Sequence, residues 1–191
     1  MPVPESNKKY AYADYLTWPD NERWEIIDGV PYMQAAPIWQ HQAVSMALSS
    51  QFYNYLLGKS CQVFAAPFDL RLSKLDIKDE DTTNVYQPDL TIICDKEKLS
   101  KTGFCGVPEM VVEILSPTTA KSDRLLKFNT YEKFGVKEYW IVEPDTKLVS
   151  VFILQDNGRY GRIEVYTEDD KVKVSIFPDL LIDLKLVFGG I

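Results

Sequence analysis

Two carboxylates in this chain stand where charge is disfavoured. Asp89 opens the run Asp89-Leu90-Thr91-Ile92-Ile93, and Glu113 lies inside Met110-Val111-Val112-Glu113-Ile114-Leu115. Both stretches are apolar and rich in β-branched residues, the composition of a buried strand, where an unpaired acid is costly. If the two strands are neighbours in one sheet, their carboxylates converge on a cation. Oxygen donors of this kind suit Mg²⁺ or Mn²⁺ rather than zinc. An ion so held polarises a phosphate and acidifies a bound water, which is the chemistry of phosphodiester hydrolysis. Strand alternation puts Val111, Glu113 and Leu115 on one face and Val112 and Ile114 on the other. The plainer account of Glu113 is a core acid paired with an arginine or a backbone group. Pro88-Asp89 by itself would signal only a turn.

Further residues could join this pair. Asp123, Lys127 and Tyr131 are spaced by four and fall on one helix face. Lys127 could orient water or stabilise negative charge; alternatively it forms a plain helix pair with Asp123, worth about 0.3–0.5 kcal/mol. Glu25, in Trp24-Glu25-Ile26-Ile27, is either an additional acid at the same site or a surface partner of Arg23. His41 is the sole histidine and begins a long helix, as an accessory group or as a local cap. Ser116 lacks the glycines of a nucleophile elbow, and no phosphate-binding glycine loop is present.

The elements that must position these groups follow from pattern. Asp28-Gly29 predicts a hairpin between 24–27 and 30–33, with Pro31 on an edge strand. Apolar residues from Val44 to Leu56 recur at helical spacing, and Gly58 ends that helix. Short strands are expected at 62–66 and 68–72, then an exposed acidic loop over 73–84. The two acidic strands follow, the second broken by Ser116-Pro117-Thr118-Thr119. A helix capped by Ser122 or Asp123 runs to about Phe134, closed by Gly135. Strands at 138–142 and 148–154 lead into a β-rich remainder ending on the apolar segment 180–188. The order predicts a mixed α/β fold with a small sheet between helices.

With 191 residues the chain suits one domain: a lead-in and hairpin over 1–36, a core over 37–154 and a β-rich extension over 155–191. The start carries no apolar leader and no run could span a membrane, so a cytoplasmic location is expected. Cys61, Cys94 and Cys105 lack CxxC spacing and read as three reduced thiols. The net charge of −7 counts against indiscriminate nucleic-acid binding. Positive charge nonetheless gathers after each acidic strand, at Lys96, Lys98 and Lys101, then at Lys121, Arg124, Lys127, Lys133 and Lys137.

These residues resemble a known pattern, the PD-(D/E)XK nuclease superfamily, in which an Asp and a Glu on adjacent strands hold the metal. More closely, the chain resembles the Uma-two family of bacterial restriction-endonuclease-like proteins. The resemblance is carried by Trp24-Glu25-Ile26-Ile27-Asp28-Gly29, Ala36-Pro37, His41-Gln42, Gln87-Pro88-Asp89-Leu90 and Val112-Glu113-Ile114-Leu115-Ser116-Pro117-Thr118-Thr119. It continues through Asp123, Lys127, Tyr131 and Gly135-Val136-Lys137-Glu138-Tyr139-Trp140-Ile141-Val142. It implies a restriction-endonuclease-like core, a central mixed sheet flanked by helices, with an extra N-terminal hairpin. It further implies a Mg²⁺- or Mn²⁺-dependent endonuclease acting on DNA, with Asp89, Glu113 and Glu25 at the metal and Lys127 as the catalytic lysine. The superfamily's lysine lies two residues after the strand Glu, and Leu115 stands there instead. The alternative is a catalytically inactive fold that binds nucleic acid or protein; a hydrolase of small phosphorylated molecules is a third reading. A homodimer is expected from the apolar 180–188 segment and the need to cut two strands.

Overall fold

Asp28 and Gly29 both adopt left-handed backbone, φ 49° and 79°, the conformation of a tight hairpin turn whose twist matches its strands. They join β1 (Trp24–Ile27) to β2 (Val30–Met33), after a short helix α1 (Tyr12–Tyr15). The computed structural model describes residues 8–19, 21–74, 77–116 and 120–191. The long helix α2 (Trp39–Leu56) buries Val44, Leu48, Phe52 and Leu56, one face at four-residue spacing. Next come β3 (Gln62–Ala65), β4 (Leu70–Leu72), β5 (Val85–Tyr86), β6 (Leu90–Ile93), β7 (Leu99–Ser100), β8 (Gly103–Gly106) and β9 (Met110–Ile114). A π-helical stretch, Ser122–Lys127, runs into α3 (Phe128–Phe134), which Gly135 terminates at φ 91°. The chain finishes with β10 (Glu138–Glu143), β11 (Leu148–Ile153), β12 (Glu164–Tyr166), β13 (Lys171–Lys173), β14 (Leu181–Asp183) and α4 (Leu184–Phe188).

The strands form two six-stranded sheets, β2-β1-β5-β4-β8-β7 and β12-β11-β10-β9-β6-β3, and the hairpin β13-β14. The second sheet is mixed: β9 and β10 run parallel, its other neighbours antiparallel. Leu90, Ile92, Met110, Val112 and Ile114 pack on one face of this sheet with Phe52, Trp140, Val187 and Phe188. The opposite face, through Ile93, Val111, Tyr139 and Ile141, packs against Tyr131 of α3 and against Leu70, Tyr86 and Phe104 of the first sheet. The site therefore lies between the two sheets, on the Glu113 side of β9.

Several expectations change. Two sheets replace the one small sheet, because the short strands at 24–33, 70–72 and 99–106 pair with one another rather than with the acidic strands. Neither Ser122 nor Asp123 caps a helix; Asp123 lies inside the π-helical stretch, facing Lys127. Cys61 and Cys94 are joined in a disulfide: the register Gln62↔Ile93 continues one step outward and sets their Cα atoms 3.9 Å apart, while Cys105 keeps its thiol. The apolar C-terminal segment buries Leu180, Ile182, Leu184, Val187 and Phe188 within its own chain. The strand break at 117–119 and Asp76 of the acidic loop lie outside the described residues. Among the described residues no helix is long and apolar enough to cross a membrane.

Candidate active site

The register Leu90↔Val112 and Thr91↔Val111 continues one step to set Asp89 opposite Glu113. Directly opposed residues of antiparallel strands point to the same face, so both acids emerge on the side of α3. Asp89 stands just before β6 and is partly open to solvent, with Oδ2 accepting from the Ile114 N–H at 2.7 Å and Oδ1 3.1 Å from His41 Nε2. Glu113, inside β9, is only 3 % exposed. Its Oε1 accepts from Lys127 Nζ at 3.0 Å and from the Tyr131 hydroxyl at 2.8 Å.

Lys127 is the centre of the constellation. Its ammonium lies 3.0 Å from Glu113 Oε1, 3.0 Å from Glu25 Oε1 and 3.3 Å from Asp123 Oδ1, and the side chain is 4 % exposed. The π-helical winding is what holds Asp123 and Lys127 on the side of the sheet that also receives Tyr131 from the next turn. Glu25 comes from β1 of the other sheet. Its Oε1 also accepts the Gln87 N–H at 2.9 Å and its Oε2 accepts Gln34 Nε2 at 3.0 Å. Glu25 is therefore buried at the site, and not at the surface beside Arg23; Arg23 Nε donates instead to Gln87 Oε1 at 3.0 Å.

Burial pushes the Glu113 carboxyl well above the usual range; Lys127 pulls it down, and Asp123, Asp89 and Glu25 push it further up. Burial alone would lower the Lys127 ammonium, but Glu113, Glu25 and Asp123 outweigh it and hold the lysine charged. Burial first, and Glu113 next, raise the Tyr131 phenol, so its hydroxyl stays a donor. Three carboxylates, Glu25, Glu113 and Asp123, thus surround one ammonium, and Asp89 stands opposite Glu113 across the strands.

That excess of negative charge is the donor chemistry of a cation site. Among the described residues no group of three His, Cys, Asp or Glu side chains is arranged to hold a metal ion. Mg²⁺ does not need one: it keeps several waters and is held by one or two carboxylates together with substrate phosphate. Asp89 and Glu113, opposed across the strands and lining a cleft of about 220 Å³, fit that mode. Glu25 is held by Gln87, Lys127 and Gln34 behind the residues that line this cleft. His41 Nδ1 is buried without a hydrogen-bond partner.

The cleft gathers Asp89, Glu113, Asp123, Lys127 and His41, with Arg23, Gln34 and Gln87 beside them. Sequence reasoning placed none of the last three at the site. Gln87 had a visible signal: two residues before Asp89 along the strand direction, it shares that acid's side. Arg23 and Gln34 had none, since the hairpin delivers them from elsewhere in the chain. Of the basic clusters, Lys127 lines the cleft and others turn elsewhere. Lys98 pairs with Asp95, Arg124 with Glu143 and Lys137 with Glu109, while Lys96 lines a different cleft beside α2.

An α/β scaffold that presents opposed strand acids and a helix-borne lysine to one cleft belongs with the nuclease-like folds. The family described as "Putative restriction endonuclease", Uma2, matches residues 12–185, and the chain belongs to it. An uncharacterised protein of Synechocystis sp. is 30% identical over 153 residues, covering 78% of this chain and 77% of its own. A solved structure from Anabaena variabilis, titled as a "putative nuclease belonging to DUF820", superposes with a TM-score of 0.75 at 20% identity. That superposition covers 94% of this chain and 97% of the other, a likeness of fold.

Proposed function

We propose that the protein is a metal-dependent endonuclease that hydrolyses phosphodiester bonds in DNA, working in the cytoplasm. The observation that carries this reading is the placement of the Lys127 ammonium 3.0 Å from Glu113, beside the opposed Asp89. Leu115 occupies the superfamily's usual lysine position, and a lysine from the following helix reaches the same acid from above the sheet. Asp89 and Glu113 would hold Mg²⁺ or Mn²⁺, with Glu25 as a third acid that also grips Lys127. When bound, the ion polarises the phosphate and lowers the pKa of the attacking water. Lys127 orients that water and stabilises charge developing on the phosphate. Tyr131 fixes the Glu113 carboxylate, and His41 fixes Asp89 from the start of α2. Asp123 holds Lys127 from the preceding turn.

Cutting both strands calls for two sites, and a homodimer is part of the reading. Its support is an exposed stripe of Trp39, Met46, Tyr53 and Leu57 along α2, next to the open edge of β3. A free strand edge beside apolar surface is self-complementary about a two-fold axis. The test of function is cleavage of plasmid, single-stranded and branched DNA with Mg²⁺ or Mn²⁺ and with chelator. Cleavage that needs the metal and falls as salt rises is expected. If no substrate is cut with any metal, the inactive binding fold takes its place, a reading favoured by the net charge of −7 and the paired surface lysines.

A further inference from the structure

Tyr12, Tyr15, Trp18 and Trp24 line a second cleft, of about 310 Å³, which shares Arg23 and Gln87 with the carboxylate cleft. That volume is within the roughly 300–1,000 Å³ typical of small-molecule sites. The rings form a continuous wall: Tyr12 stacks on Tyr15 with centroids 5.4 Å apart, Tyr15 lies 5.6 Å from Trp18, and Trp18 meets Trp24 edge-on at 5.4 Å. The polar groups of this wall are already engaged. Asp69 Oδ1 accepts from the Tyr15 hydroxyl and from Gln87 Nε2, its Oδ2 accepts from the Tyr12 hydroxyl, and Trp24 Nε1 donates to Glu22. Burial pushes the Tyr12 phenol up to about 12, so it remains a hydroxyl that donates to Asp69. A ligand meets half-buried ring surface from Tyr15, Trp18 and Trp24, bordered by the Arg23 guanidinium. At most about 7 Å of chain separates Gln87, at this wall, from Asp89, at the cation site.

We propose that this aromatic cleft is a nucleobase subsite, taking one unpaired base of the DNA strand whose neighbouring phosphate would be held by the cation at Asp89 and Glu113. Arg23 contacts the phosphate between them. The identity of the strand rests on the nuclease reading above; the subsite narrows it to substrates with single-stranded, frayed or branched character. Aromatic rings accept any base by its face, at about 1–3 kcal/mol per stacked base, and a duplex offers none without unpairing. The plainer account is that the rings only pin α1 to β1.

The test uses the full chain in chelator, so that nothing is cut, and follows quenching of tryptophan fluorescence. The probes are a short single-stranded oligodeoxynucleotide, the same backbone made wholly abasic, and a blunt duplex. The ordinary single strand is expected to bind at least about tenfold more tightly than the abasic one, the equivalent of about 1.4 kcal/mol, and more tightly than the duplex. Trp18→Leu is expected to erase the difference between ordinary and abasic strands. Equal affinity of the wild-type chain for the two overturns the proposal, whether or not the variant folds, as does a folded Trp18→Leu that keeps the difference. Metal-dependent cleavage with base-independent binding removes the subsite and leaves the nuclease reading. Base-dependent binding without cleavage removes the nuclease reading and leaves the subsite.

Discussion

Without its ammonium, Lys127 would leave Glu25, Glu113 and Asp123 facing one another in a site nearly closed to water. Breaking a buried ion pair from one side costs about 3–5 kcal/mol. At about 2–4 °C per kcal/mol for a chain of this size, Lys127→Met is expected to melt on the order of 10 °C below the wild type. An exposed helix pair would lose less than 0.5 kcal/mol or so. Mn²⁺ should restore part of the loss, since it supplies the missing positive charge. Cleavage should fall by about two orders of magnitude, the usual consequence of losing one preorganised electrostatic group. Lys121, exposed on the preceding turn, is the control, and Lys121→Met should change neither quantity. A melting curve of Lys127→Met that overlays the wild type would refute the central role given to this residue. Calorimetric titration with Mn²⁺ addresses the acids: binding should vanish in Asp89→Ala and in Glu113→Ala, and full binding in both variants would discard the metal site.

At the scale of elements, α3 is held on two sides. Tyr131 reaches Glu113 at the sheet, and Glu132 reaches outward: its Oε1 accepts from Arg159 Nη1 at 2.6 Å and its Oε2 from the Tyr160 N–H at 2.7 Å. The Arg159 hydrogen bond, then that of Tyr160, holds the Glu132 carboxyl below its ordinary 4.5. A carboxyl lowered in the folded state adds stability that is fully present above 4.5 and is lost as pH falls through the lowered folded value. Glu132→Gln should therefore melt below the wild type at neutral pH, with the gap closing as the pH drops beneath 4.5. Melting curves of the two proteins across that range decide it. A gap that stayed constant down to strongly acidic pH would mean that the contact is not ionic.

For the whole molecule, the fold directs its two apolar assets to different ends. The C-terminal strand and helix complete the core over α2, whereas the outer side of α2 keeps Trp39, Met46, Tyr53 and Leu57 in solvent. Light scattering after size exclusion should report a dimer at micromolar concentration. Met46→Lys, which places charge at the middle of the stripe where Met46 is 72 % exposed in the single chain, should yield the monomer at a cost to the fold of no more than about 0.5 kcal/mol. A wild-type monomer at tens of micromolar would show that the stripe has another purpose or none.

Local pattern determined what local physics controls. The Asp-Gly turn, the edge position of Pro31, the four-residue stripe of α2, the Gly135 stop and the buried strands around Asp89 and Glu113 all follow from backbone preference and hydrophobic period. Asp89, Glu113, Asp123 and Lys127, which line one cleft, were also visible in the sequence, because acids and a lysine inside apolar runs stand out against their surroundings. Which of them meet was decided by tertiary structure. Glu25 reads equally well as a surface partner of Arg23 until β1 is laid beside β5 and its carboxylate is turned onto Lys127. Asp123 reads as a cap until the π-helical winding turns it inward. Cys61 and Cys94 read as separate thiols until β3 and β6 fall into register. Pairing between segments distant along the chain depends on register and on which face each strand presents, and neither is encoded in any single window of sequence.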